Sequence, residues 1–167
     1  VTLATDFGNR NIGNNLTVSG NLVANNNELT VLNDLSVNGS LSTVGVDVNV
    51  SNNTSLGASA SINTSNGGLN AGGLLTLGSS ADVATGSGSI LVTDDVTMGS
   101  ESEVSSTSNI VLQGDVTMSF NSHINTSANV LIYGNLTVTG GATIGQAAAG
   151  ALVMDGSSTA EVSIQGI

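Results

Sequence analysis

Asp94, Asp95 and Asp115 are the residues whose type and spacing come closest to chemistry. Asp95 and Asp115 stand 20 residues apart, a step that recurs throughout the chain and would bring the three carboxylates to one corner. There they could act as paired acid and base, or supply part of the oxygen-rich shell that calcium takes. The glycine-rich calcium nonapeptide of other β-rolls is absent. No cofactor is therefore expected, and calcium at these three aspartates is kept as the one metal they suit. His123, the sole histidine, precedes the apolar Ile124, so strand alternation turns it outward and it reads as a solvated side chain. No nucleophile elbow, phosphate-binding glycine loop or zinc-binding helix motif occurs. Neither a catalytic residue nor an enzyme is expected.

Hydroxyls form a second array: Thr17, Ser36, Ser55, Thr76, Thr97, Thr117 and Thr137. A flat threonine array is what ice binding uses, but it needs a matching column two residues on. Ser19, Asn38, Gly57, Gly78, Gly99, Ser119 and Thr139 occupy that column, too irregular a set. Stacking of outward side chains along a parallel sheet explains the ladder instead. Asn-x-Ser/Thr sequons at Asn15, Asn38, Asn49, Asn52, Asn53, Asn63, Asn125 and Asn135 leave surface glycosylation open.

The elements that would position these side chains follow from the repeat. Each hydroxyl of the ladder is flanked by aliphatic residues, as in Leu35-Ser36-Val37, Leu75-Thr76-Leu77 and Val116-Thr117-Met118, with Thr54-Ser55-Leu56 as a weaker copy. Steps between the central hydroxyls are 19, 19, 21, 21, 20 and 20 residues. Ile62, Val83, Val104, Ile124 and Ile144 keep the same register. So do the apolar pairs Leu29 with Val31, Val48 with Val50, Ile90 with Val92, Ile110 with Leu112, Val130 with Ile132, and Leu152 with Met154. Three alternating strands per unit, separated by Gly, Asn, Ser and Asp, predict a triangular coil. Corners at Asn14-Asn15, Asn33-Asp34, Asn52-Asn53, Asp94-Asp95, Gly114-Asp115 and Gly134-Asn135 are expected to use left-handed backbone. The expectation is an all-β chain, a single-domain parallel β-solenoid (β-helix) of about 20 residues per coil, with three short strands per coil and seven to eight coils. Only the unit Asn53 to Gly73 fits the repeat poorly.

Composition agrees with a thin core. Of 167 residues, 39% are hydrophobic but only 2% aromatic, and proline, which would delete a ladder donor, is absent. The formal net charge is −11, and Arg10 is the one basic residue among Lys and Arg. Counterion release on a phosphate backbone needs several such residues, so nucleic acid is excluded as a partner, and an anionic membrane surface is disfavoured. No apolar run approaches the length of a spanning helix, so no membrane insertion is expected. Without lysine, isopeptide-linked fibre chemistry is unavailable, and without cysteine there is no disulfide.

The stretch GDVTMSFNSHINTSANVLIYGNLTVTGGATIG, Gly114 to Gly145, resembles the β-helical repeats of filamentous-haemagglutinin-like and autotransporter adhesins. The likeness is one of repeat style, covers roughly residues 15 to 156, and carries no catalytic or binding residue across. It implies a solenoid on the cell exterior. Opening at Val1 without an initiator Met, the chain reads as a mature extracellular, cell-surface protein after signal-peptide removal.

Segment 1–14 is read as an amino-terminal strand or cap, 15–156 as the repeats and 157–167 as a carboxy-terminal edge strand. Alternation at both ends makes Val1, Leu3, Phe7, Val162, Ile164 and Ile167 the candidate assembly edges. Stacked parallel strands end in open edges, which other strands can join. The expected function is a self-assembling protomer of an extracellular filament, whose partner is itself, head to tail or by strand donation. The alternative is an adhesin or tail-fibre module that binds a surface glycan, with Phe120 and Tyr133 as the only aromatic residues near each other in repeat register.

Overall fold

A computed structural model describes residues 2–3, 9–25, 28–146, 151–154 and 164–166. They form a three-sided parallel β-solenoid whose three sheets hold nine, eight and seven strands. Seven coils contribute one strand to each sheet, and no helix occurs among the described residues. The path visits the eight-stranded, the seven-stranded and then the nine-stranded sheet before rising one rung. Each strand therefore pairs with its counterpart one coil away, in the register that the repeat predicts: Thr17 with Ser36, Ser36 with Ser55, and onward to Thr117 with Thr137.

Three-residue strands are long enough because each needs only two inward side chains. In Leu35–Val37, Val96–Met98 and Ile110–Leu112 the outer residues are buried and the middle one faces out. Stacking fills the prism with unbroken apolar columns, such as Leu22, Leu41, Ile62, Val83, Val104, Ile124 and Ile144. No coil could bury such side chains alone, so the core exists only between rungs.

The unit from Asn53 to Gly73 is an ordinary coil of small residues. Its third strand, Leu69–Ala71, pairs with Val48–Val50 below and Ile90–Val92 above. Ala71 stands where other rungs carry Val, Leu, Ile or Met. Gly67 brings the backbone so close to the coil below that a Cβ there would lie 1.8 Å from the Val46 carbonyl oxygen.

Each corner has its own chemistry. Between the seven- and nine-stranded sheets, the amide of the fourth turn residue donates to the carbonyl of the first, as in Ala81 to Gly78 (3.2 Å) and Ser122 to Ser119 (3.1 Å). The third residue there has positive φ at Ser59 (57°), Ser80 (55°), Glu101 (60°) and Asn121 (52°), the pattern of a type II turn, while the last such turn has positive φ at both Gly140 (52°) and Gly141 (81°). Between the nine- and eight-stranded sheets, a buried hydroxyl column of Thr43, Thr64, Thr85, Ser106 and Thr126 points inward. Thr43 donates to the Val46 carbonyl (2.9 Å), Thr85 to that of Gly88 (2.7 Å) and Thr64 to that of Gly67.

The third corner, at the Asn and Asp pairs, departs from expectation. None of the described residues with positive φ lies there. Side-chain oxygens are what the position requires, because each accepts a backbone N–H from the next coil. Asp34 N–H donates to Asn15 Oδ1 (3.3 Å), Asn53 N–H to Asp34 Oδ1 (3.2 Å), Asp115 N–H to Asp95 Oδ1 (2.8 Å) and Asn135 N–H to Asp115 Oδ1 (2.7 Å).

Candidate functional site

The ends of the stack are the first place where a partner could add. Leu3 lies in Thr2–Leu3, which pairs with Asn21–Asn25 and sets Leu3 opposite Ala24. Ile164 lies in Ile164–Gly166, opposite Ile144. Both strands thus form the outermost rungs of their own nine-stranded sheet. Val1, Phe7, Val162 and Ile167 lie outside the described residues.

Inside the stack, the apolar columns are sealed; at its ends they are not. Ile12 and Leu16 at one end, and Val138, Leu152 and Met154 at the other, pack on the core but remain only partly buried. At the amino-terminal end a cavity of about 240 Å³ opens, lined by Ile12, Leu16, Val18, Leu22 and Leu29 among others. An added rung presenting two apolar side chains per strand is the shape that would close either end.

At the aspartate corner one oxygen of each carboxylate is used within the fold. Asp95 and Asp115 do stack one rung apart, as the 20-residue step implies, but an oxygen of each is engaged by the next coil's N–H. Asp94 Oδ1 accepts from the Asp95 N–H (2.9 Å). Among the described residues, no three His, Cys, Asp or Glu side chains are gathered to hold a metal ion.

A different set of titratable residues is brought together on the nine-stranded sheet. Asp82 pairs with Glu103, and Glu103 with His123, so three adjacent rungs carry them in one outward column. The Asp82 carboxyl is pushed above its ordinary value, first by partial desolvation and then by the Glu103 charge. Glu103 Oε1 accepts from Asn125 Nδ2 (2.8 Å), and His123 Nδ1 sits 2.7 Å from Thr143 Oγ1. The residues just before Val83, Val104 and Ile124 are these three, so the apolar column already located them in the sequence.

Other outward surfaces are ladders. A hydrogen-bonded chain on the eight-stranded sheet runs from Asn70 Nδ2 to Asn49 Oδ1 (2.6 Å), from Asn49 Nδ2 to Glu28 Oε1 (2.5 Å), and from Asn9 Nδ2 to Glu28 Oε2 (3.0 Å). Phe120 and Tyr133 are both about half exposed. Phe120 occupies the corner between the seven- and nine-stranded sheets, and Tyr133 the end of an eight-stranded-sheet strand, so they do not form one platform. No protein-family model, no curated protein and no solved structure significantly matches the chain.

Proposed function

We propose that the chain is a structural protomer that polymerises end to end into an extracellular filament. One observation carries this reading: both ends of a core that is fully buried in its middle present partly exposed apolar side chains, Ile12 and Leu16 against Val138, Leu152 and Met154. Ile12 and Met154 are the two ends of one column, so Met154 of one copy would stack on Ile12 of the next, while Leu152 would meet the Arg10 position that begins its own column. A head-to-tail contact of this kind repeats without closing. The repeat-style resemblance to filamentous-haemagglutinin-like and autotransporter adhesins supports an exterior location. An acidic surface without lysine supports solubility of the protomer until the specific end contact forms. Glycan binding gains no comparable support, since its two aromatic residues stand apart.

Negative-stain electron microscopy of the purified chain over a dilution series, without crosslinker at neutral pH, tests the reading. Long fibres with an axial repeat of about 35 to 45 Å, one protomer length at the strand spacing, are the expected result. Discrete rods that persist at high concentration would overturn it.

A further inference from the structure

The outward column of the eight-stranded sheet changes character halfway along. Its first four members are Asn11, Thr30, Asn49 and Asn70, and its last four are Leu91, Val111, Leu131 and Val153, each paired with the next in register. Leu91, Val111 and Leu131 are half-buried by their neighbours, and Val153 is 48% exposed. Tyr133, also 48% exposed, flanks Leu131 two residues on. Stacking along the parallel sheet accounts for a row at this position but not for its turning aliphatic, because in the first half Asn49 and Asn70 fill the same position and hydrogen-bond along the ladder.

Charge and area together say what covers the stripe. In a chain of net charge −11, the strands Ile90–Val92, Ile110–Leu112, Val130–Ile132 and Leu152–Met154 and the residue on either side of the first three contain no Asp or Glu, whereas the polar half of the same sheet is flanked by Glu28 and Asp47. Two copies can therefore meet on the first three of these rungs without bringing carboxylates together; Asn21–Asn25, Ser40–Val44 and Ser61–Asn63 of the nine-stranded sheet share that freedom but carry no unbroken aliphatic row. Four rungs at about 4.8 Å and a side-chain row roughly 10 Å wide give an area on the order of 200 Å² per copy. A stable pair needs about 800 Å² per partner. One stripe is too small to hold two protomers, but a stripe repeated once per protomer along a polymer binds through many linked contacts.

We infer that this stripe is a lateral contact between filaments, the Leu91–Val111–Leu131–Val153 row of one copy seated on the same row of another. The inference rests on the end-to-end reading above, and it assigns side-by-side bundling to a face that end-to-end growth does not use. Val111→Asn combined with Leu131→Asn extends into the second half the residue type already carried at Asn49 and Asn70. Thr97→Asn combined with Thr117→Asn, a double change to the same residue on paired rungs of the seven-stranded sheet, is the control.

At about 0.15 M salt, where surface charge is screened beyond roughly 8 Å, the unmodified chain and the control should form bundles that pellet at low speed. The double variant should form single filaments of unchanged axial repeat, with the pelleted fraction reduced at least about tenfold. Circular dichroism melts establish that the variant is folded; should it not be, Leu131→Thr, a β-branched change at one rung, replaces it with the same expected direction. Filaments of the unmodified chain that stay single, or bundles that survive the substitutions, would overturn the lateral contact and leave end-to-end growth standing. Absence of any filament would overturn both.

Discussion

Thr54 occupies an inward position between Leu35 below and Leu75 above, fully buried, and its hydroxyl finds no hydrogen-bond partner. Burying an unmade hydroxyl costs about 1 to 3 kcal/mol, whereas valine has the same shape without that cost. Thr54→Val should therefore stabilise the chain by about 1 kcal/mol, read as a rise in the thermal midpoint. Asp82 makes a second residue-scale case. Its carboxyl, raised above its unfolded value, binds protons more readily in the folded state, so stability falls as pH rises past the unfolded value of 3.8. Asp82→Asn should be more stable than the unmodified chain at neutral pH. The gap should close as pH falls below about 4, where both forms are neutral. Melting curves between pH 3 and 7 check the sign; a gap that widens on acidification would contradict the stated cause.

The inward hydroxyl column fixes the corner between the nine- and eight-stranded sheets, and it shows how far the sequence could be read at the level of elements. Ile62, Val83, Val104 and Ile124 were legible as a column because aliphatic residues recur there without exception. Two residues on, Thr64, Thr85, Ser106 and Thr126 are just as regular and point to the same side, yet hydroxyls in a chain rich in Ser and Thr look like surface. What distinguishes them is the corner carbonyl within reach, and that is tertiary information. The Asn and Asp corners were misread for a similar reason: such residues suit both left-handed backbone and side-chain acceptance. Strand order, coil length and register were all open to reading, because period-2 alternation inside a period-20 repeat leaves one way to stack. Replacing Thr85 by Val keeps the volume but removes one of the two hydroxyls that donate to the Gly88 carbonyl, leaving the Ser106 hydroxyl (2.8 Å) as the other. Thr85→Val should cost about 1 kcal/mol, and Thr85→Val with Ser106→Ala should cost more than the sum of the two single changes. A double-mutant cycle on thermal unfolding measures the difference.

Across the whole molecule, every rung contacts only its neighbours, so stability accumulates along the axis rather than around a centre. Rungs in the middle have two such neighbours, and the terminal rungs of the described stack have one. Amide hydrogen exchange should therefore be slowest between Thr54 and Met118 and quicken toward Leu16–Val18 and Leu136–Val138. Protection that is flat along the chain would mean a single cooperative unit instead. The register between Val96–Met98 and Val116–Met118 has one more consequence, for the way such a molecule can change its size. Asp95 and Asp115 hold equivalent corner positions, so a chain in which residue 95 is followed directly by residue 116 would lose one whole turn and still place every later residue over a legitimate predecessor. The rod would shorten by about 4.8 Å, and Asp82 would acquire His123 as its neighbour in place of Glu103. Length in this protein is thus a number that can be edited in whole steps, like links removed from a chain, while the cross-section stays the same.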